Sequence, residues 1–363
     1  MDERDDLLMT PGPTELPPAV REAMSRPPLN PDVQPEFADY YRSLLDKLAS
    51  VYRTDDDVVV LAGEGILGLE AAVASLVDDG EEVLSLANGI YGEGFADFVT
   101  THGGEPTLHE APFDAGFDVE SVKAAVEDGD YAVATLVHCE TPTGVLNDIE
   151  ELLGVLQDAG VVTVVDAVSS LGGTPVPTDR IDVCLGASQK CLSSPPGLTT
   201  LSVSDRAWEK VAATDQGGFY ASLEPWRGLD LADKDPDMLP YTHAVSNLYA
   251  LEASLDLLLD EGLGSVFERH EAAAERCRER GRDLGLEPFA PESMASPTVT
   301  AFEIEGRADE IRDRLEADRG IVVATGLGEH AEDLLRVGHM GYGATIERVD
   351  QTMDALGAML EAS

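Results

Sequence analysis

Positive charge is scarce in this chain, and lysine is scarcest: the only lysines are Lys47, Lys123, Lys190, Lys210 and Lys234. Lys and Arg together number 24 against 70 Asp and Glu, for a formal net charge of -46. Phosphate repels such a surface, which excludes nucleic acid and anionic membrane as main partners. The 4 cysteines (Cys139, Cys184, Cys191 and Cys277) are too few and too irregular for a disulfide framework or a zinc site. They fit a reducing compartment. Cys191 reads as a small buried residue rather than a nucleophile. The 7 histidines show no metal-ligand spacing, so no metal is expected, and His339 is expected to be structural. No apolar run approaches the roughly 20 residues that span a bilayer. The charged stretch Met1 to Asp6 is unlike a signal peptide. These absences describe a soluble, cytoplasmic protein.

The acids come in clusters, among them Asp55-Asp56-Asp57, Asp78-Asp79 and Glu81-Glu82. Self-repulsion on this scale is tolerable where salt screens it, since the Debye length falls to about 3 Å at 1 M. The expected source is an organism with a high-salt cytoplasm.

What the chain does contain is a large apolar fraction, 43% of 363 residues, ample for a sizeable core. Met9 to Pro18 is proline-rich and reads as an extended arm. Phe37 to Tyr52 has helical periodicity. Strands then alternate with helices: strand Val58 to Leu61, a helix through Gly68 to Val77, strand Glu82 to Leu86, helix Phe95 to His102, strand Glu105 to His109. Further strands are expected at Tyr131 to His138, Val161 to Val165, Ile181 to Gly186 and Leu198 to Val203, with helices at Val119 to Glu127 and Ile149 to Ala159. This is the pattern of an α/β protein with a mostly parallel sheet covered on both faces. After about Asp260 the pattern changes to a smaller α+β region: helix Leu263 to Leu284, strand Thr298 to Ile304, a helix from Ala308, strands Ile321 to Ala324 and Leu334 to Val337, and helix Ile346 to Leu360. The expected division is an arm at 1–16, a large domain at 17–261 and a small domain at 262–363.

Two residues carry the chemistry. Lys190 sits in the small-residue run Gly186-Ala187-Ser188-Gln189-Lys190, and Asp166 closes the apolar strand ending Val164-Val165-Asp166. A desolvated lysine can form a Schiff base with an aldehyde, and a strand-end carboxylate can hold a pyridinium nitrogen. The pair points to pyridoxal 5′-phosphate (PLP). Gly63-Glu64-Gly65-Ile66 leads into a helix whose amides can cradle a phosphate, although a G-x-G is as often only a tight turn. Gly63 to Gly68 also matches the G-x-G-x-x-G of nucleotide-binding folds. Glu64 is awkward beside a phosphate, and its side chain is expected to point away. Tyr91 can stack on the ring or be a core tyrosine; Val168 can press on the other face, and Thr141 can hydrogen-bond the cofactor. Arg336, inside an apolar strand, is a candidate for a substrate carboxylate, with an internal salt bridge as the alternative. Gln189 stands where a histidine would have suggested cysteine desulfurase chemistry.

In order, the segments Pro11-Gly12-Pro13-Thr14, Asn88-Gly89-Ile90-Tyr91-Gly92, Glu140-Thr141-Pro142-Thr143-Gly144, Val164 to Gly173, Gly186 to Lys190 and Leu334 to Gly338 resemble class V aminotransferases of fold type I. The likeness is to the alanine–glyoxylate and serine–pyruvate group. It implies a large PLP-binding domain with a seven-stranded sheet and a homodimer with shared active sites. It also implies Lys190 as the Schiff-base lysine, Asp166 as the pyridinium partner, Tyr91 as the stacking aromatic and Gln189 at the cofactor. Arg336 resembles the substrate-carboxylate arginine, and Thr242 the phosphate ligand from the neighbouring subunit. Glu64 departs from the small hydroxyl residue more usual there, and Tyr91 from the tryptophan of some members. The implied reaction moves an amino group from alanine or serine to glyoxylate or pyruvate; one carboxylate-binding arginine disfavours dicarboxylic donors. The alternative is another class V PLP enzyme: an aspartate-type aminotransferase, a lyase, an epimerase or a desulfurase.

Screening of the acidic surface makes stability depend on salt. Lowering KCl from about 1 M to about 0.1 M lengthens the Debye length from about 3 to about 10 Å, and circular dichroism should record unfolding. Full retention of structure at the lower concentration removes the high-salt reading.

Overall fold

Continuous apolar runs such as Val58 to Leu61 become strands here because helices cover both faces of the sheet they enter. The computed structural model describes residues 6–215, 218–229 and 239–361, so residues 1–5 of the arm, and Lys234, lie outside the described residues. The sheet holds seven strands: β1 (Asp57–Leu61), β2 (Glu82–Ala87), β3 (Glu105–Glu110), β4 (Val133–Val137), β5 (Val162–Asp166), β6 (Val183–Ala187) and β7 (Thr199–Val203). Their order is β1-β7-β6-β5-β4-β2-β3. Only β7 is antiparallel to its neighbours, and every other pair is parallel. This is the mostly parallel seven-stranded α/β sheet of PLP fold type I.

Helix α1 (Glu36–Tyr52) buries Phe37, Tyr41, Leu44, Leu48 and Val51 at helical spacing, so one face joins the core. Helix α2 (Gly65–Leu76) follows β1 directly. Helix α3 (Ile90–Thr101) begins five residues before the expected Phe95, because the distant Glu140 carboxylate accepts the Gly92 amide at 2.8 Å and so caps its start. Helix α4 (Val245–Glu261) was not foreseen; its buried residues are spread around its circumference and leave little amphipathic signal.

Helix α5 (Leu263–Asp283) gives Val266 to the large core and Ala273 and Cys277 to a second one. The second core packs β8 (Val299–Glu303), β9 (Ala324–Thr325) and β10 (Leu334–Gly338), ordered β8-β10-β9, under α6 (Ile346–Leu360). Ile321 to Ala324, expected as one strand, serves two sheets. Ile321 and Val322 pair in parallel with Leu7 and Leu8 of the arm, while Ala324 and Thr325 join β10. The arm also buries Met9 in the second core.

His270 of α5 holds Gly341, whose segment packs on the turn that bears Lys190. One ring nitrogen bonds the Val266 carbonyl at 2.7 Å and the other accepts the Gly341 amide at 2.9 Å. That arrangement needs a neutral ring, and burial lowers its pKa to about 4. Gly341 has φ +60, and a Cβ there would collide with Ser193 Oγ and approach the Cys191 and Lys190 carbonyls. Gly341→Ala should therefore lower stability by about 1–3 kcal/mol and weaken cofactor retention. A thermal melt with unchanged midpoint would show that the turn is not held this way.

Candidate active site

Loops leaving the carboxyl ends of β1, β4, β5 and β6 converge on one cavity of about 320 Å³. Carboxyl ends of parallel strands are where ligands of open α/β sheets collect, and the volume is that of a small-molecule site. Its lining includes Glu64, Gly65, Ile66, Tyr91, Thr141, Asp166, Val168, Gln189 and Lys190. Gly12 and Pro13 of the arm, Ser169 and Pro196 complete the wall. Of the residues singled out in the sequence, Gly63, Arg336 and Thr242 do not line it.

Asp166 ends β5 at 6% exposure, and one carboxylate oxygen accepts the Val168 amide at 2.7 Å. Burial pushes its carboxyl up to about 6, against the opposing pull of that amide and of Lys190. Burial, and then the Arg336 charge, lower the Lys190 amine below its ordinary value, which favours the neutral nucleophile. The Lys190 ammonium or amine donates to the Pro11 carbonyl at 2.6 Å. Gly12, with φ +96, allows this approach: any Cβ would lie 2.5 Å from Lys190 Cδ. Sequence reasoning missed this arm contact, although Pro11-Gly12-Pro13 was its visible trace. Beside the lysine, Cys191 is buried and its thiol pushed up to about 12, which makes it inert.

Tyr91 lies in the first turn of α3 rather than in a loop, and its own amide reaches Glu140 at 3.4 Å. Glu140 is fully buried, and burial raises its pKa to about 7 despite the two amides it accepts. Asn88 is tied to Asn147 by reciprocal amide bonds of 2.8 and 3.0 Å, so the β2–α3 connection is rigid. Thr141 shares its hydroxyl with Ser169 and its carbonyl with Arg336, at 3.4 Å. Arg336 also donates to the Thr325 carbonyl at 2.6 Å. At 7% exposure it has no carboxylate within ion-pair distance among the described residues. Thr242 is exposed and donates to Asp32 at 2.9 Å. His339 is fully buried between Thr300 and the Pro297 carbonyl, a structural position.

Glu64 overturns one expectation. Its side chain is exposed, yet it bends back over the start of the helix and accepts the Ile66 amide at 3.2 Å as the N-cap of α2. The cause is the unpaired donors of a helix start, which a local carboxylate satisfies. The second carboxylate oxygen stands 3.5 Å from the Gln189 amide nitrogen.

A profile of the family described as Aminotransferase class-V matches residues 8–350. The chain belongs to the class V aminotransferases. It is 35% identical to an uncharacterised aminotransferase of Methanocaldococcus jannaschii, over 98% of this chain and 95% of that protein. It is 34% identical to the pyridoxamine–pyruvate transaminase of Mesorhizobium japonicum, over 98% and 92%. The crystal structure of an alanine–glyoxylate aminotransferase from Nostoc sp. superposes with a TM-score of 0.94 at 30% identity, covering 99% of this chain and 96% of that one.

Class V aminotransferases are PLP-dependent transaminases, and the ring-binding half of this site fits that cofactor. Lys190 offers the amine for its aldehyde, Asp166 a buried anion for its ring nitrogen, and Tyr91 and Val168 flat surfaces. The G-x-G-x-x-G pattern serves packing instead: Gly68 lets α2 lie against Thr199 and Leu185.

An ionised Asp166 is what a cationic ring nitrogen requires. PLP affinity, followed by visible absorbance, should fall as pH drops through about 6 and the carboxyl protonates. Asp166→Asn should bind weakly with that pH step missing, and lose turnover by about 10- to 100-fold, as for a charge-assisted bond. An identical step in the variant assigns the titration elsewhere.

Proposed function

We propose that this transaminase moves an amino group from a small amino acid, alanine or serine, to glyoxylate or pyruvate. The observation that carries the reading is Arg336: a buried guanidinium without a carboxylate, bonded to the Thr141 carbonyl that borders the cavity. Isolated buried charge is costly, and a bidentate carboxylate brought by substrate relieves that cost. Among the described residues it is the single such arginine, which favours monocarboxylic donors. Relatives named for alanine, glyoxylate and pyruvate support the same substrate class.

Bound PLP supplies an aldehyde that takes up the amino group and a cationic ring that withdraws electrons from the donor's Cα. The chain's own groups do the rest. Arg336 binds and orients the donor carboxylate. Asp166 keeps the ring nitrogen protonated, and Tyr91 and Val168 fix the ring plane. Lys190, poorly solvated and lowered in pKa, takes the proton from Cα and returns one at the cofactor side. Gly65 and Ile66, with Gln189, stand where the far end of the cofactor would rest.

A homodimer with shared sites and a high-salt cytoplasm belong to the same proposal. Ile66 is 41% exposed at the cavity, Phe219 and Tyr220 are exposed, and the Tyr220 hydroxyl donates to the Ala62 carbonyl at 3.4 Å. Tyr220 stacks on Tyr241, the neighbour of Thr242, at 4.5 Å between ring centres. Such an apolar margin suits a partner subunit. Pyridoxamine, the donor named for the Mesorhizobium relative, is a second donor, favoured by the Glu64 carboxylate at the cavity wall.

Mixing the holoenzyme with L-alanine should convert the visible chromophore to its pyridoxamine form, with none in Lys190→Ala. Arg336→Gln should raise KM for alanine about 10- to 100-fold, as for a lost charge-assisted bond, with a smaller effect on kcat. No conversion with any amino donor sinks transamination. An unchanged KM in the arginine variant sinks its assigned role.

A further inference from the structure

The part of the cavity wall made by Glu64 and Gln189 offers acceptors, which suit a hydrogen-bond donor rather than an anion. Lys190 is the only cation among the described residues lining the cavity, and it faces the arm at Pro11. The amides that begin α2, which would cradle a phosphate, are largely taken. Ile66 donates to the Glu64 carboxylate at 3.2 Å, and Leu67 to the Glu64 carbonyl at 2.9 Å. That leaves the Gly65 amide. A phosphate monoester carries roughly -1.5 to -2 charges at neutral pH and then mostly accepts hydrogen bonds.

Gln189 supplies an independent sign. It is 7% exposed, lines the cavity, and its side-chain oxygen has no hydrogen-bond partner. Glu64 sets the amide's orientation: the nitrogen faces the carboxylate at 3.5 Å, and a flipped amide would oppose two acceptors. An unsatisfied buried acceptor is costly, so a donor is missing. A primary alcohol answers two of these groups at once, giving its proton to Gln189 or Glu64 and accepting from Gly65. A phosphate dianion answers only the last.

We propose that Glu64 and Gln189 form a hydroxyl-accepting subsite that admits the unphosphorylated ring, so that this transaminase uses pyridoxamine itself as an amino donor. The inference rests on the transaminase reading and narrows its donor. The step balances: the aminomethyl carbon of pyridoxamine is oxidised to the aldehyde of pyridoxal, and the keto carbon of a 2-oxo acid is reduced to the amino acid. Nitrogen passes between them, with one water consumed and one released. Lys190 carries the proton. The carboxylate of the oxo acid falls to Arg336, as for any other acceptor. With its tail hydroxylated, the ring leaves as product instead of staying as a resident group.

The test is an equilibrium titration of the cofactor-free wild type, Glu64→Ser and Glu64→Gln with pyridoxal and, separately, with PLP. The visible band that requires Lys190 is the readout, and production of pyridoxal from pyridoxamine and pyruvate is followed in parallel. Serine caps helices well and glutamine keeps the shape, so at least one variant should fold. The wild type should bind pyridoxal and convert pyridoxamine. The preference for pyridoxal over PLP should fall at least tenfold in Glu64→Ser and shift the same way in Glu64→Gln. A wild type that gives a band with PLP alone, or a preference unchanged in both variants, overturns the inference. In the first case, chromophore conversion by L-alanine leaves the transaminase reading standing. No band with either ring overturns both.

Discussion

Burial of the Asp166 carboxylate is the constraint on which the site depends. A charge at the closed end of a central strand is costly without a partner, and this one has a single amide and a nearby lysine to hold it. The same dehydration that raises Asp166 lowers Lys190, so the two groups approach each other in pKa from opposite sides. A ring with a cationic nitrogen at one edge and an aldehyde at another relieves both. The parallel sheet matters because it delivers the two groups from adjacent strands to one edge.

The polar shell around this pair is built in the same way, by acids placed at helix starts. Glu64 caps α2 and Glu140 caps α3. One reaches the amide two residues ahead of it and lines the cavity. The other arrives from a different strand end and fixes the turn that presents Tyr91. Both satisfy donors that a helix start leaves open, yet only Glu64 lines the cavity.

The sheet was legible because its strands are short unbroken runs of Val, Leu and Ile with helical segments between them, and Lys190 and Asp166 stood out at two of their ends. What sequence did not convey depended on distant partners. The start of α3 is decided by Glu140, the split of Ile321 to Thr325 by Leu7 and Leu8, and the placing of Lys190 by Pro11. Helix α4 escaped notice because apolar residues surround it and give no stripe. The direction of Glu64 was misjudged by weighing repulsion from an assumed phosphate while omitting the helix amides close at hand. Arg336 was recognisable only because a charge interrupts an apolar strand; its carbonyl partners were not.

The pairing of Leu7 and Leu8 with Ile321 and Val322 has a temporal side. During synthesis the arm emerges long before the strand it pairs with. Met9 likewise waits for Phe302, Leu335 and Met353 before it has a core to enter. Until then Pro11 is held over Lys190 only through Thr14, whose amide and hydroxyl bond the Gln189 and Lys190 carbonyls. Contacts this distant in sequence form late because closing the loop costs entropy before any contact rewards it. That wall of the cavity is therefore finished only after Ile321 and Val322 have been made, so a chain cut short before them keeps its lysine less well covered.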